Sequence, residues 1–477
     1  MSFLSIQFAL FLAVTLLGFH LSPSRHRPLF LLIASYVFYF LWSPAATLGI
    51  FGATLFTFLA GRALDPDSDI SVDGRRGRRI MILAVTLLVA YLGIFKALGP
   101  LKQVLSGDGA HPGWLPALLQ SNSLLPLGIS YYSFKLISYV LDVYWRKTPP
   151  ARNFIEFATY VVFFPQIVAG PIQRSGDFLE QIQNPSPSTE MMKSGLRRLL
   201  LGCFKKTVVA DNLGVLIGLL YSQTPHSAHS STLLAVYLFP IQLYADFSAL
   251  TDIAVGTGRL FGIQSPENFD APFLASNISQ YWRRWHMSLT TWLTDYVFLP
   301  LRMATRNAGN WGLAFSLLVT MTLIGLWHKL SWTLVVFGLL HGVFLTVDAL
   351  TARSRSKFFK RHPGWDRPAT WIGVVFTFHL VAFAKVFFRA ESVPEALSVL
   401  ARLAAPAIPF GTLLQSREAL VGLVGLGLWT AFELLQRQPW VRPWAAPVWG
   451  RWAFYYAVVA IIVKYGHRAD GFIYFKF

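Results

Sequence analysis

The side chains of this chain best suited to chemistry are two histidines, His286 and His328, in residues 277–343. His286 lies in Tyr281-Trp-Arg-Arg-Trp-His-Met-Ser-Leu-Thr-Thr-Trp292, and His328 in Gly325-Leu-Trp-His-Lys-Leu-Ser-Trp332. An imidazole at membrane depth is costly unless it is paired or used, and it exchanges protons near neutral pH. Burial would keep such a ring neutral and able to accept a proton. A neutral imidazole beside a hydroxyl is what general-base activation of an alcohol toward an acyl thioester requires. Before Asp348, the run 311–350 has only His328, Lys329 and His341 as ionisable groups. It is long enough for two spans with a tight turn near 325–332, or for a broken helix carrying His328 inward. Trp327 and Trp332 would wall such a site from water. Taken alone, His286 also reads as a structural histidine, and His341 reads as a helix-packing one.

The other charges in apolar surroundings read as scaffolding. Asp252 and Arg259 are seven residues apart, two helical turns, and are expected to form a buried pair. Asp246 points elsewhere and needs its own partner. Lys135 sits inside an apolar span with Asp142 seven residues on, so a structural pair is expected there too. No Gly-x-Ser-x-Gly elbow, phosphate-cradling loop or His-Glu-x-x-His zinc motif is present, and no metal ligands are assigned. The single cysteine, Cys203, excludes an internal disulfide and a Cys-rich metal site.

The elements that must position the histidines are helices. Hydrophobic residues make up 54% of the chain and charged residues 13%, against about 25% charged in soluble domains. Apolar runs of bilayer-spanning length recur, so the fold class is an all-α polytopic membrane protein. About 11–12 spans are expected, near 3–21, 28–42, 45–61, 80–98, 124–145, 207–221, 231–249, 311–328, 332–350, 370–389, 417–435 and 452–466. The first run lacks a basic leader and a cleavage site, and reads as a retained span. The net charge of +18 sits in short loops, as topology signals do, and does not imply nucleic-acid binding. Those loops place 22–27, 65–79 and 145–152 inside and 99–123 outside. Residues 154–170 are apolar with basic residues on both flanks, which fits a re-entrant segment better than a crossing. From 281 onward, Trp282, Trp285, Leu289, Trp292 and Tyr296 fall on one face of a helix, with Arg284, Thr291 and Asp295 on another. That pattern predicts an amphipathic helix lying along the membrane interface. No internal repeat is visible.

The chain resembles the membrane-bound O-acyltransferase family in its alginate O-acetyltransferase-like branch. The matching stretches are Pro126-Leu-Gly-Ile-Ser-Tyr-Tyr-Ser-Phe, Phe163-Phe-Pro-Gln-Ile-Val-Ala-Gly-Pro-Ile and Asp246-Phe-Ser-Ala-Leu-Thr-Asp. Pro266-Glu-Asn-Phe-Asp-Ala-Pro, both histidine motifs and the closing Phe472-Ile-Tyr-Phe-Lys-Phe match as well. The resemblance implies one membrane domain over residues 1–477, with N-terminal helices in 1–110, a catalytic core in 120–350 and C-terminal helices in 351–477. It further implies helices ringed around a central tunnel, His328 as the essential histidine and His286 as the second polar position. Three departures stand out: Lys329 where the branch has glycine, residues 302–307 in place of Gly-Gly-Asn-Arg, and Lys135 in place of glutamine.

The activity that the histidines and the resemblance lead one to expect is acyl transfer. Its donor substrate would be acetyl-CoA or another cytoplasmic acyl thioester, with no bound cofactor. Trp285, Trp327, Trp332, Ser288 and His341 are the candidates to line the passage. The expected setting is the bacterial cytoplasmic membrane, with an extracytoplasmic esterase-like acyltransferase as partner and a surface polysaccharide as acceptor. D-alanyl or peptidoglycan acyl export stays open, as does a noncatalytic transporter or scaffold of a polysaccharide export complex. Tyr474 offers a hydroxyl but reads as a packing aromatic.

Overall fold

The structure, a computed structural model, describes residues 3–65, 74–105, 126–222, 229–403, 417–437 and 447–467. Most of the expected loop 99–123 and the closing stretch with Tyr474 lie outside the described residues. The elements among them are helical, and the one β pairing is an isolated bridge between Phe269 and Trp285. Among the described residues, seven helical stretches are long and apolar enough to cross a bilayer: Pro44–Ala63, Gly74–Leu98, Thr232–Leu260, Arg306–His328, Trp332–Arg361, Pro363–Arg389 and Arg417–Gln436. Their outward side chains are apolar as well, Phe51, Leu83, Trp311 and Trp371 among them. In water such a surface would aggregate, whereas in lipid it is the expected exterior. The protein is an all-α polytopic membrane protein.

The chain forms two compact units, Met1–Arg197 with Ile253–Glu267, and Arg198–Asp252 with Asn268–Phe477. The first unit opens with α1 (Ile6–Leu21), α2 (Arg27–Phe40), α3 (Pro44–Ala63), α4 (Gly74–Leu105) and α5 (Ile129–Tyr144). Short helices α6 (Phe154–Val162) and α7 (Ser175–Gln183) follow, then α8 (Thr189–Phe204), which runs on into the second unit. The nine residues of α6 span only about 14 Å at 1.5 Å per residue, too little to cross roughly 30 Å of hydrocarbon. Residues 163–173 continue as irregular, fully buried backbone. Such backbone persists only where protein satisfies its polar groups, and here it does. Ser35 Oγ accepts from Phe164 N at 3.1 Å, and Gln166 Nε2 donates to Gln173 Oε1 at 2.7 Å and Ser265 Oγ at 2.8 Å. Lys135 joins this network, donating to the Tyr160 carbonyl at 3.0 Å and to Gln166 Oε1 at 2.9 Å. The expected pair with Asp142 does not form: the Tyr160 carbonyl of α6 and the Gln166 side chain take up the ammonium instead.

The second unit contains α9 (Asp211–Ser222), most of α10 (His229–Leu260), α11 (Ile278–Arg284), α12 (Met287–Leu293) and α13 (Leu299–Ala304). Then come α14 (Gly309–His328), α15 (Trp332–Arg361), α16 (Asp366–Arg389), α17 (Val393–Arg402), α18 (Arg417–Gln436) and α19 (Val448–Tyr465). Helices α14 and α15 form a tight hairpin, because a Cβ on Gly325, Gly338 or Gly342 would strike the facing backbone. Small residues at a helix crossing allow this close approach without a hydrophobic driving force in lipid. Ser331 caps α15 through the Leu334 amide. His328 is therefore held at the end of a rigid hairpin rather than on a loop.

The single helix expected over 281–296 does not exist. It breaks between Arg284 and Met287, where His286 adopts a left-handed backbone with φ of 43°. Trp282, Trp285, Leu289 and Trp292 are all buried, so they belong to the core of the unit and not to an interfacial stripe.

Candidate active site

His286 owes its conformation to the strand-like segment that precedes α11. Phe269 bridges Trp285, Asp270 N donates to the Arg284 carbonyl at 3.0 Å, and Met287 N donates to the Asn268 carbonyl at 2.9 Å. The side chain of Asn268, itself fully buried, accepts from Ser288 Oγ at 2.6 Å and donates to Thr251 Oγ1 at 3.3 Å. A left-handed non-glycine residue is strained, and this ladder is what holds it. The strain directs the imidazole inward, where it is 1% exposed. There it meets the rings of Phe247 at 4.7 Å and Trp327 at 5.7 Å, both edge-on. Burial pushes its pKa down to about 3, so the ring is neutral at any working pH.

His328 is the last residue of α14 and lies edge-on to Trp327 at 4.8 Å and to Phe388 of α16 at 5.0 Å. Both imidazoles thus lean on one indole, Trp327. The chain separates them by 42 positions, and the fold brings them to contacts with a single buried ring. His328 is half-buried, and His286 is sealed. The two rings therefore differ in what each could do. A base must exchange its proton, which suits the partly open ring, while a sealed neutral imidazole can orient or hydrogen-bond without changing charge.

The other expected site residues separate into three groups. Trp285, Trp327 and Ser288 are buried in the same cluster. His341 lies one layer away, where its Nδ1 accepts from Trp282 Nε1 at 3.3 Å and its ring packs on Phe337 at 4.7 Å. Trp332 does not wall the site: it is 79% exposed at the start of α15. The hairpin turn directs it outward, five residues after Trp327 and on the other helix.

The scaffold charges are paired, though not as spacing suggested. Asp246 meets Lys206 at 2.6 Å, and Lys206 also meets Asp211 at 2.7 Å. Asp252 binds Arg198 and Lys205, both at 2.7 Å, instead of Arg259. Arg259 reaches Glu267 at 3.7 Å and Ser194 Oγ at 3.2 Å. Shared helix face was a poor guide, because α8 and the π-turn 205–210 bring cations nearer.

Sequence reasoning missed Asn268, Phe247, Phe388 and Lys385. Asn268 was within reach, since it sits in the Pro266-Glu-Asn-Phe-Asp-Ala-Pro stretch. Lys385 also carried a signal, being an ionisable residue inside the apolar run 370–389. It lies 2% exposed with its ammonium 4.1 Å from the Trp285 ring centre and 5.5 Å from that of Phe388.

Both histidines lie in a unit built largely of apolar helices, as an integral membrane protein would hold them. The model of the MBOAT, membrane-bound O-acyltransferase family, matches residues 149–390, a range that includes both histidines and Lys385. The chain is 35% identical to a probable alginate O-acetylase of Pseudomonas aeruginosa over 430 residues, 88% of this chain and 77% of that one. It is 29% identical to a peptidoglycan O-acetyltransferase of Helicobacter pylori, over 82% of this chain and 77% of that one. To a teichoic acid D-alanyltransferase of Bacillus subtilis it is 31% identical, over 56% and 69%. The chain belongs to the membrane-bound O-acyltransferase family and is a multi-pass membrane acyltransferase.

Proposed function

We propose that the protein moves an acetyl group from a cytoplasmic thioester, such as acetyl-CoA, through the cytoplasmic membrane of a bacterium for O-acetylation of an extracytoplasmic polysaccharide of the alginate type. The observation that carries this reading is the contact of His286 and His328 with the same buried indole, Trp327. His328 takes the proton of the acceptor hydroxyl as its oxygen adds to the thioester carbonyl. The carbon–sulfur bond then breaks, and the leaving thiolate takes the proton held by His328, so the thiol departs and the ring is neutral again. His286, neutral and fixed, orients the carbonyl. Trp285, Trp327 and Ser288 line the route. An esterase-like acyltransferase outside the membrane completes delivery to sugar hydroxyls.

Acetyl is favoured over D-alanyl by the extent of likeness, 88% of the chain for the alginate O-acetylase against 56% for the D-alanyltransferase. The test is the O-acetyl content of surface polysaccharide from cells carrying His328→Ala or His286→Ala, at matched protein levels. Loss of acetylation in both variants supports the reading. Full acetylation in the His328 variant would end it.

A further inference from the structure

Lys385 is a buried cation of the second unit that the acyl-transfer reading leaves unused. It is buried on α16 and, among the described residues, makes no hydrogen bond or ion pair. Its contacts are the rings of Trp285 and Phe388. A cation over an indole recovers part of what desolvation costs, but a buried charge without an anion is retained against a large penalty. The buried lysines elsewhere among the described residues have conventional partners: Lys206 has two carboxylates, and Lys135 a carbonyl and an amide. The two rings that hold Lys385 belong to the histidine site. Trp285 directly precedes His286, and Phe388 is the ring against which His328 rests at 5.0 Å.

The chemistry supplies a use for such a cation. When a hydroxyl adds to a thioester carbonyl, negative charge gathers on the carbonyl oxygen, and it must be met by a donor already in place. His286 is neutral and offers no charge, and His328 is engaged with the hydroxyl proton. We propose that Lys385 receives the carbonyl oxygen of the acyl thioester, and that its ammonium holds the charge of the tetrahedral intermediate. This role rests on the acyl-transfer reading. No atom is exchanged in it. The ammonium keeps its three protons while the carbon–oxygen bond forms and the carbon–sulfur bond breaks. The aromatic cage fixes its position without a competing carboxylate, which would neutralise the field at the oxygen.

The test uses Lys385→Met, which keeps an unbranched side chain one atom shorter and removes the charge. Membranes containing the full chain and its partners are supplied with radiolabelled acetyl-CoA, and polymer-bound label is counted. The full chain is also purified and its thermal unfolding measured. Loss of about a hundredfold in kcat is expected, with KM for acetyl-CoA changed less than about threefold, the pattern of an interaction made in the transition state. Tm should stay level or rise, because an uncompensated buried charge has been replaced by an apolar chain. A merely structural lysine would do the reverse, lowering Tm and taking activity only in proportion to folded protein, and that result overturns the proposal. A wild-type rate for Lys385→Met beside a silent His328→Ala also overturns it while leaving the acyl-transfer reading intact. If His328→Ala keeps its rate, that reading falls and this inference with it.

Discussion

Around Lys206, buried charges meet their opposites. Its ammonium lies 2.6 Å from Asp246 and 2.7 Å from Asp211, and Asp252 nearby holds both Arg198 and Lys205. Around Trp327, in the same unit, the polar groups meet aromatic rings instead: Phe247 and Trp327 for His286, Trp327 and Phe388 for His328, Trp285 and Phe388 for Lys385. The first arrangement cancels charge and fixes helices against one another. The second surrounds ionisable side chains with rings, in a setting where fields are screened less than in water. On the proposed reading, stability and chemistry are placed apart in one unit, and substitutions in the two regions should fail differently.

The largest expected effect is on rate. His328→Ala should lower acetylation by about 10²–10⁴-fold, the usual contribution of a positioned general base. The protein should remain folded, because the removed ring is half-buried and packs mainly edge-on. Quantifying polymer-bound acetyl against membrane-extracted protein separates the two outcomes. Unfolding of this variant would erase the contrast with the charged region.

Asp246→Ala should fail the other way. Removing one partner of a buried charge network costs about 3–5 kcal/mol, and Lys206 would lose one of its two carboxylates. The expectation is a large drop in Tm and in membrane abundance, with residual activity per folded molecule near wild type. A variant that is stable but inactive would move Asp246 from the scaffold into the chemistry.

The sequence carried one of these regions better than the other. Helix positions were legible because lipid demands long apolar runs, and the turn between α14 and α15 fell where the runs 311–328 and 332–350 meet, although α15 continues to Arg361. His286 and His328 were legible as costly groups in apolar context. Their shared contact with Trp327 was not, because it depends on the left-handed turn at His286, which Asn268 and Phe269 impose from a distant segment. Spacing along one helix misassigned Asp252 and Lys135 for a related reason. Their partners, Arg198, Lys205 and the Tyr160 carbonyl, lie on other segments of the chain. Within the aromatic cluster Lys385 carried the same signal as the histidines, an ionisable group in an apolar run, and its single position in a long span hid it.

The buried neutral state of His286 makes a pH prediction. Its folded pKa, about 3, lies below the ordinary histidine value of 6.5. Such a group takes up its proton on unfolding, so its contribution is intact above pH 6.5 and is lost as pH falls toward 3. Stability should decline by about 1.4 kcal/mol per pH unit in that window from this residue alone. His286→Asn should flatten the slope when unfolding is followed in detergent between about pH 6.5 and pH 4. An unchanged slope would mean that the ring is already charged or solvated, and would remove the division of labour between the two histidines.

The smallest expected effect tests the edge of the site. Trp327 and Trp332 are five residues apart and look equivalent in sequence, yet one is 6% exposed and the other 79%. Trp327→Ala should cost about 3–5 kcal/mol through the cavity it leaves, and should also uncouple the two imidazoles. Trp332→Ala should stay within about 0.5 kcal/mol, as exposed positions do. Its acetylation should match the wild type when both are measured in native membranes, because its ring touches neither histidine. If Trp332→Ala lost activity at normal abundance, the site would have to extend past the hairpin turn to the lipid-facing side of α15. The aromatic region would then be an open surface rather than the enclosed one that contrasts with the charge network.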